Sequence, residues 1–121
     1  MANERFQRLV AETKMRIVEI SPAQAAEAAR GGALLIDVRP KDDFAEAHAA
    51  GAQHICRGML ELEIEDIAPA SETPILCYCG GGSRAALATE SLQKMGYTNV
   101  KSVAGGFRAW TEAGLPTERV T

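Results

Sequence analysis

Two short, almost wholly apolar stretches constrain this chain most: Ala33-Leu34-Leu35-Ile36-Asp37-Val38 and Pro74-Ile75-Leu76-Cys77-Tyr78. Neither alternates apolar with polar residues, so each reads as a strand covered on both faces. Three shorter segments join them as strands: Arg16 to Ile20, Gln53 to Cys56 and Asn99 to Val103. Helical patterns lie between the strands, and this alternation predicts an α/β fold with a central five-stranded parallel sheet and helices on both faces.

The helices carry recognisable stop and start signals. Ser21-Pro22 places a capping serine before a proline at the first helical position, and Gly31-Gly32 ends the alanine-rich run that follows. A short helix is expected over Lys41 to Glu46. Ser83 to Met95 repeats Ala85, Ala88, Leu92 and Met95 on one face. Another short helix runs through Phe107 and Trp110. Asn3 to Thr13, with Phe6, Leu9, Val10 and Thr13 at helical spacing, forms an N-terminal helix. Leu60 to Glu65 alternates like a strand, yet Leu60, Ile64 and Ile67 fit a helix, which is the preferred reading. We expect one domain, with residues 1–14 as the N-terminal helix and 15–121 as the catalytic unit.

Composition removes some classes of function. The 121 residues carry a net charge of −3, so no surplus of Lys and Arg is available to bind nucleic acid. No apolar run approaches the roughly 18 residues that would span a bilayer. The chain opens without a basic segment leading into an apolar one, and it has three cysteines, Cys56, Cys77 and Cys79. An odd count without a secretory leader argues against a disulfide framework and for a reducing, cytoplasmic setting.

In parallel sheets, ligands bind beyond the carboxyl ends of the strands. Arg39, Arg57, the loop from Cys79 to Arg84 and Ala104-Gly105-Gly106 should converge there. The loop Cys79-Gly80-Gly81-Gly82-Ser83-Arg84 joins a buried strand to a helix N-terminus. Three glycines open backbone conformations closed to other residues, so successive N–H groups can form an anion-binding nest. The helix terminus adds unpaired N–H groups and a positive dipole end, and Arg84 adds a permanent charge. Together they favour the nucleophilic thiolate at Cys79. A persulfide there would place a second, negatively charged sulfur in the same cradle.

Four motifs, in order, carry a family resemblance: Leu35-Ile36-Asp37-Val38-Arg39, the segment from Phe44 through His48 to Ile55, the loop Cys79 to Arg84, and Gly105-Gly106-Phe107-Arg108-Ala109-Trp110. Over nearly its whole length the chain resembles single-domain rhodanese sulfurtransferases. The resemblance implies that Cys79 takes a sulfane sulfur from a donor such as thiosulfate, forms a persulfide, and passes it to cyanide or a thiol. Glutathione and thioredoxin are candidate acceptors. It also implies that Gly80, Gly81, Gly82 and Ser83 supply backbone donors and that Arg84 fixes the loop. No cofactor or metal is expected. The chain departs from the family pattern at Ala47-His48-Ala49-Ala50, where relatives have Gly-His-Ile-Pro, at Cys56, where a proline is common, and in the glycine content of the loop.

Other residues have plainer readings. Cys77 should face the core, opposite Tyr78. Cys56 is a candidate resolving thiol and Arg57 a candidate anion-binding residue. Asp37 and Arg39 should tie strand ends to loops, His48 and His54 should be structural, and Arg108 should lie on the surface. The Cys-x-Cys spacing of Cys77 and Cys79 is too tight for an ordinary zinc site with His54 and Cys56. Glu61, Glu63, Glu65 and Asp66 read as a solvated acidic face. Two rival functions remain open: a protein-partner sulfur carrier or binding module, and a cysteine phosphatase or arsenate reductase. The phosphatase pattern has five residues between Cys and Arg, whereas four separate Cys79 from Arg84.

Overall fold

The computed structural model describes residues 3–121, so Met1 and Ala2 of the expected N-terminal segment lie outside the described residues. Five parallel strands form the main sheet in the order β1-β6-β5-β2-β4: β1 (Glu19–Ile20), β2 (Leu34–Asp37), β4 (Gln53–His54), β5 (Ile75–Tyr78) and β6 (Val100–Val103). The two apolar runs are the central neighbours β2 and β5, paired from Leu34 with Ile75 to Asp37 with Tyr78. Every residue of β5 is buried.

Side-chain alternation along β5 divides the interior into two cores. Ile75, Cys77 and, just past the strand, Cys79 join Ile36, Val38, Leu60, Ile64, Ala85, Ala88 and Leu92 on the face covered by α4 (Leu60–Ile67) and α5 (Ser83–Lys94). Leu76 and Tyr78 face the other way, against Ala25 and Ala26 of α2 (Pro22–Arg30) and Trp110 of α6 (Gly106–Glu112). The α2 N-terminus is a full capping box, with Ser21 Oγ accepting from Gln24 N at 3.1 Å and Gln24 Oε1 accepting from Ser21 N at 2.9 Å.

Three elements differ from the sequence reading or refine it. Leu60–Ile67 is helical, because Leu60 and Ile64, four residues apart, both point into the core. The N-terminal helix α1 (Glu4–Lys14) buries Val10 and Thr13, while Phe6 and Leu9 stay partly exposed. Only part of the expected apolar stripe is therefore covered, where α1 meets α5, and Thr13 Oγ1 reaches Glu90 Oε1 of α5 at 3.3 Å. A small antiparallel pair, β3 (His48–Ala49) with β7 (Thr117–Glu118), ties the C-terminus to the segment after α3 (Lys41–Glu46). At two residues per strand it leaves too little periodicity to be read in advance.

Candidate active site

The carboxyl ends of β2, β4 and β5 meet at one edge of the sheet. Cys79 follows β5 directly and is 1% exposed. Its Sγ accepts hydrogen bonds from Gly82 N at 3.1 Å and Ala85 N at 3.4 Å. Gly82 is the N-cap of α5 and Ala85 its third residue, and the cap offers no side-chain acceptor. The sulfur thus occupies the place a capping oxygen would take, at the positive end of a twelve-residue helix.

The cradle is narrower than the sequence suggests. Of the three loop glycines only Gly82 has a positive φ (106°), and a Cβ there would lie 3.3 Å from Gly105 N. At Gly80 and Gly81 φ is not positive and a Cβ would meet nothing within 4 Å, so neither position requires glycine on steric grounds. Ala85, not singled out by its residue type, is the second donor. The signal for it was positional, since the third residue of a helix has an N–H without an intrahelical partner.

Arg84 does not fix the loop. It is exposed, and among the described residues it forms no ion pair. The loop is held instead by backbone bonds from α6: Phe107 N donates to Cys79 O at 2.7 Å and Arg108 N to Gly80 O at 3.1 Å. These bonds need a close approach, and Gly106 provides it. Its φ is +59°, and a Cβ there would fall 2.4 Å from Cys79 O and 2.8 Å from Gly80 C.

Beside the loop lies an open cleft of about 550 Å³ lined by Val38, Pro40, Lys41, His54, Ile55, Cys56, Arg57, Gly58, Met59, Glu63 and Arg84. Val38 and Ile55 line the cleft and also belong to the core cluster that contains Cys79. Arg57 N is pinned to Val38 O at 3.0 Å, at the end of β2. Its Nη1 donates to Glu61 Oε1 at 3.0 Å and Oε2 at 2.8 Å. Glu61 also accepts from Ser91 Oγ of α5 at 2.5 Å. Glu61 and Glu63 therefore do not belong to a simple solvated face: one is tied to Arg57, and the other lines the cleft.

Arg39 turns away from this cleft. Its guanidinium pairs with the fully buried Asp37 (Nη2 to Oδ2 2.8 Å), donates to Ala47 O at 2.6 Å, and lies 4.3 Å from the Phe107 ring centroid. His54 Nε2 donates to Arg39 O at 2.7 Å, and His48 Nδ1 donates to Phe44 O at 2.7 Å while its ring stacks on Phe44. Both histidines serve the architecture, as do Asp37 and Arg39. Arg108 lies on the surface.

The three cysteines occupy distinct environments. Cys77 is fully buried beside Thr89, and burial pushes its thiol up to about 12. Cys56 is half-buried on the cleft wall. It follows β4, which is separated from β5 by β2, so Cys56 and Cys79 leave strands that are not neighbours. No group of three or more His, Cys, Asp or Glu side chains among the described residues is arranged to hold a metal.

A cysteine capping a helix after a buried parallel strand could belong to more than one family, and comparison with known proteins decides between them. Residues 21–113 match the family described as "Rhodanese-like domain". The chain belongs to the rhodanese-like domain family. A rhodanese-like relative named thiosulfate sulfurtransferase GlpE, from Haemophilus influenzae (strain PittEE), is 36% identical over 104 residues, 86% of this chain and 97% of the relative. Its namesake from Actinobacillus succinogenes is 38% identical, over 86% of this chain and 93% of its own. Among solved structures, a polysulfide-sulfur transferase homodimer from Wolinella succinogenes superposes with a TM-score of 0.82 at 30% identity, covering 97% of this chain and 89% of that one. A Rhodopseudomonas palustris protein described as of unknown function and a possible tyrosine phosphatase gives 0.85 at 29% identity, covering 93% of both chains.

Proposed function

We propose that this rhodanese-like protein is a thiosulfate-type sulfurtransferase working through a persulfide on Cys79. The observation that carries the reading is the pair of N–H groups from Gly82 and Ala85 on Cys79 Sγ at the head of α5. They stabilise negative charge on sulfur in a site screened from bulk water. In the first half-reaction the Cys79 thiolate attacks the outer sulfur of thiosulfate. A new S–S bond forms, the bond to the sulfonate sulfur breaks, and sulfite leaves with the bonding pair. In the second, cyanide or a thiolate attacks the outer sulfur of the persulfide. Thiocyanate or an organic persulfide forms, and the Cys79 thiolate leaves.

Lys41, Arg57 and Arg84 on the cleft walls supply positive charge for an anionic donor. At about 550 Å³ the cleft also lies within the roughly 300–1,000 Å³ of sites that take drug-sized ligands. That size favours an organic thiol acceptor, such as glutathione or the exposed cysteine of thioredoxin, over cyanide alone. Cys56 is read here as part of the cleft wall. A direct bridge to Cys79 needs Cα atoms within about 7 Å, and β2 stands between the strands that the two cysteines follow. α1, which precedes the family match, is read as an accessory helix laid over α5.

The phosphatase reading is weaker. Four residues rather than five separate Cys79 from Arg84, among the described residues two N–H groups reach the sulfur, and Arg84 lies exposed on the cleft wall rather than closing a ring for a tetrahedral oxyanion. The test is intact mass after incubation with thiosulfate. A gain of about 32 Da, reversed by cyanide and absent in Cys79→Ala, is expected for a persulfide on that residue. Retention of the adduct in Cys79→Ala, or turnover of an aryl phosphate at a comparable rate, would overturn the reading.

A further inference from the structure

The sulfurtransferase reading leaves one charged chain of contacts unused. Glu61, on the first turn of α4, links the cleft to the helix that caps Cys79. One of its oxygens accepts from Arg57 Nη1 at 3.0 Å. The other accepts from Arg57 Nη1 at 2.8 Å and from Ser91 Oγ at 2.5 Å. Partial burial opposes its ionisation, but the Ser91 hydroxyl and the Arg57 guanidinium outweigh it and hold its carboxyl below the usual range. Glu61 is therefore a fixed anion at working pH. Among the three cations of the cleft, Arg57 alone has a carboxylate on it, since no ion pair among the described residues involves Lys41 or Arg84. Arg57 is also the cation whose backbone is anchored at the strand ends, through Val38 O.

We propose that Glu61 is a specificity-determining, positioning residue: it neutralises and tethers Arg57, and so limits how tightly the cleft holds a small dianion. The consequence is selective. A small, doubly charged donor depends on the net charge of the cleft, whereas a larger thiol compound can also use the apolar walls of Val38, Pro40, Ile55 and Met59. Glu61 thereby keeps the first half-reaction from saturating at low thiosulfate and leaves room for bulkier ligands. The inference rests on the sulfurtransferase reading for its choice of donor.

Glu61→Gln keeps an acceptor for Arg57 and Ser91 but removes the charge. The uncovered unit charge would face a dianion at about 8 Å, the edge of a cube of the cleft's volume. In a water-like dielectric this gives about a three- to five-fold tightening at ~0.01 M ionic strength, vanishing near 1 M, where the Debye length is ~3 Å. The experiment is single-turnover persulfide loading of the whole protein at increasing thiosulfate. Glu61→Gln should lower the half-saturating concentration by that factor and leave the maximal loading rate unchanged. In an Arg57→Gln background the same substitution should give a clearly smaller gain, because only the repulsion of Glu61, which does not itself line the cleft, is then relieved.

A second measurement does not depend on sulfur transfer: the sulfate concentration that halves alkylation of Cys79 by iodoacetamide, read by peptide mass. It should fall by the same factor in Glu61→Gln. An unchanged or raised half-saturation, a gain that persists at 1 M salt, or a gain of the same size in the Arg57→Gln background would overturn the role of Glu61. Wild-type protein that fails to load sulfur from thiosulfate would sink the sulfurtransferase reading instead, and sulfate protection would still decide the role of Glu61.

Discussion

Gly106→Ala tests how the Cys79 loop is held. Gly106 starts α6 at φ +59°, and an added Cβ would lie 2.4 Å from Cys79 O and 2.8 Å from Gly80 C and O. The left-handed backbone alone costs a non-glycine residue about 1–2 kcal/mol. The neighbours in the way are backbone atoms, so relief means shifting the loop or α6, at about 1–3 kcal/mol for overpacking of this kind. Either shift strains the bonds from Phe107 N to Cys79 O and from Arg108 N to Gly80 O. The expected loss is about 2–5 kcal/mol. That corresponds to a fall in Tm of roughly 8–20 °C for a domain of this size. The same shift moves Sγ away from the Gly82 and Ala85 amides, and a displacement near 1 Å can cost about 100-fold in rate. Circular dichroism melts and single-turnover persulfide loading give the two readouts. Gly81→Ala is the matched comparison, because its Cβ meets nothing within 4 Å and its φ is not positive. Its Tm should stay the same or rise slightly, by up to about 1 kcal/mol of stability. A Gly106→Ala protein with wild-type Tm and loading would refute the argument, as would equal destabilisation by the two variants.

Further outcomes follow from the buried groups. Asp37→Ala leaves the Arg39 guanidinium buried without its carboxylate and should cost about 3–5 kcal/mol in urea denaturation; a loss below about 1 kcal/mol would mean that Ala47 O and the Phe107 ring suffice to hold it. Cys77 is raised in the fold to about 12, so its contribution to stability is complete below its unfolded value near 8.5–9 and lost as pH rises through about 12. Stability should therefore fall as pH rises from 9 towards 12, and Cys77→Ala should flatten the part of that slope between pH 9 and 10, below the range of the tyrosines. At pH 8 iodoacetamide should leave Cys77 unmodified in the folded protein, as peptide mapping would show.

The parts of the fold legible in the sequence are those set by short-range pattern. The apolar runs became the central strands β2 and β5, Ser21-Pro22 became a capped helix start, and Lys41 to Glu46 became α3 with those bounds. Cys79 stood out in the sequence because it lies between a buried strand and a glycine run, and the structure sets its sulfur at the head of α5. What escaped depends on distance in the chain. The pairing of β3 with β7 joins residues about seventy apart, and the backbone bonds that hold the loop come from α6 rather than from the loop. Residue type misled in two places. Arg84 carries a charge that looks like a clamp but lies exposed on the cleft wall, and three glycines look equally needed when only Gly82 has a backbone that demands one. Glu61 looked like one of four solvated acids, because the partner that singles it out besides Arg57 is Ser91, on another helix.

These contacts separate two tasks that the loop seemed to perform alone. Hydrogen bonding to the Cys79 sulfur falls to two amides at the head of α5, which belong to the rigid sheet-and-helix frame. Holding the loop falls to α6, through Gly106 and two backbone bonds. Neither task uses a loop side chain other than that of Cys79. Side chains at Gly80, Gly81, Ser83 and Arg84 are thus free to vary without disturbing either the cap or the frame, and ligand choice passes to the cleft wall formed by Lys41, Arg57, Met59, Glu63 and Arg84. On this division, substitutions at Gly82, Ala85 or Gly106 should alter the maximal rate of sulfur loading. Substitutions on the cleft wall should alter which donor and acceptor saturate it.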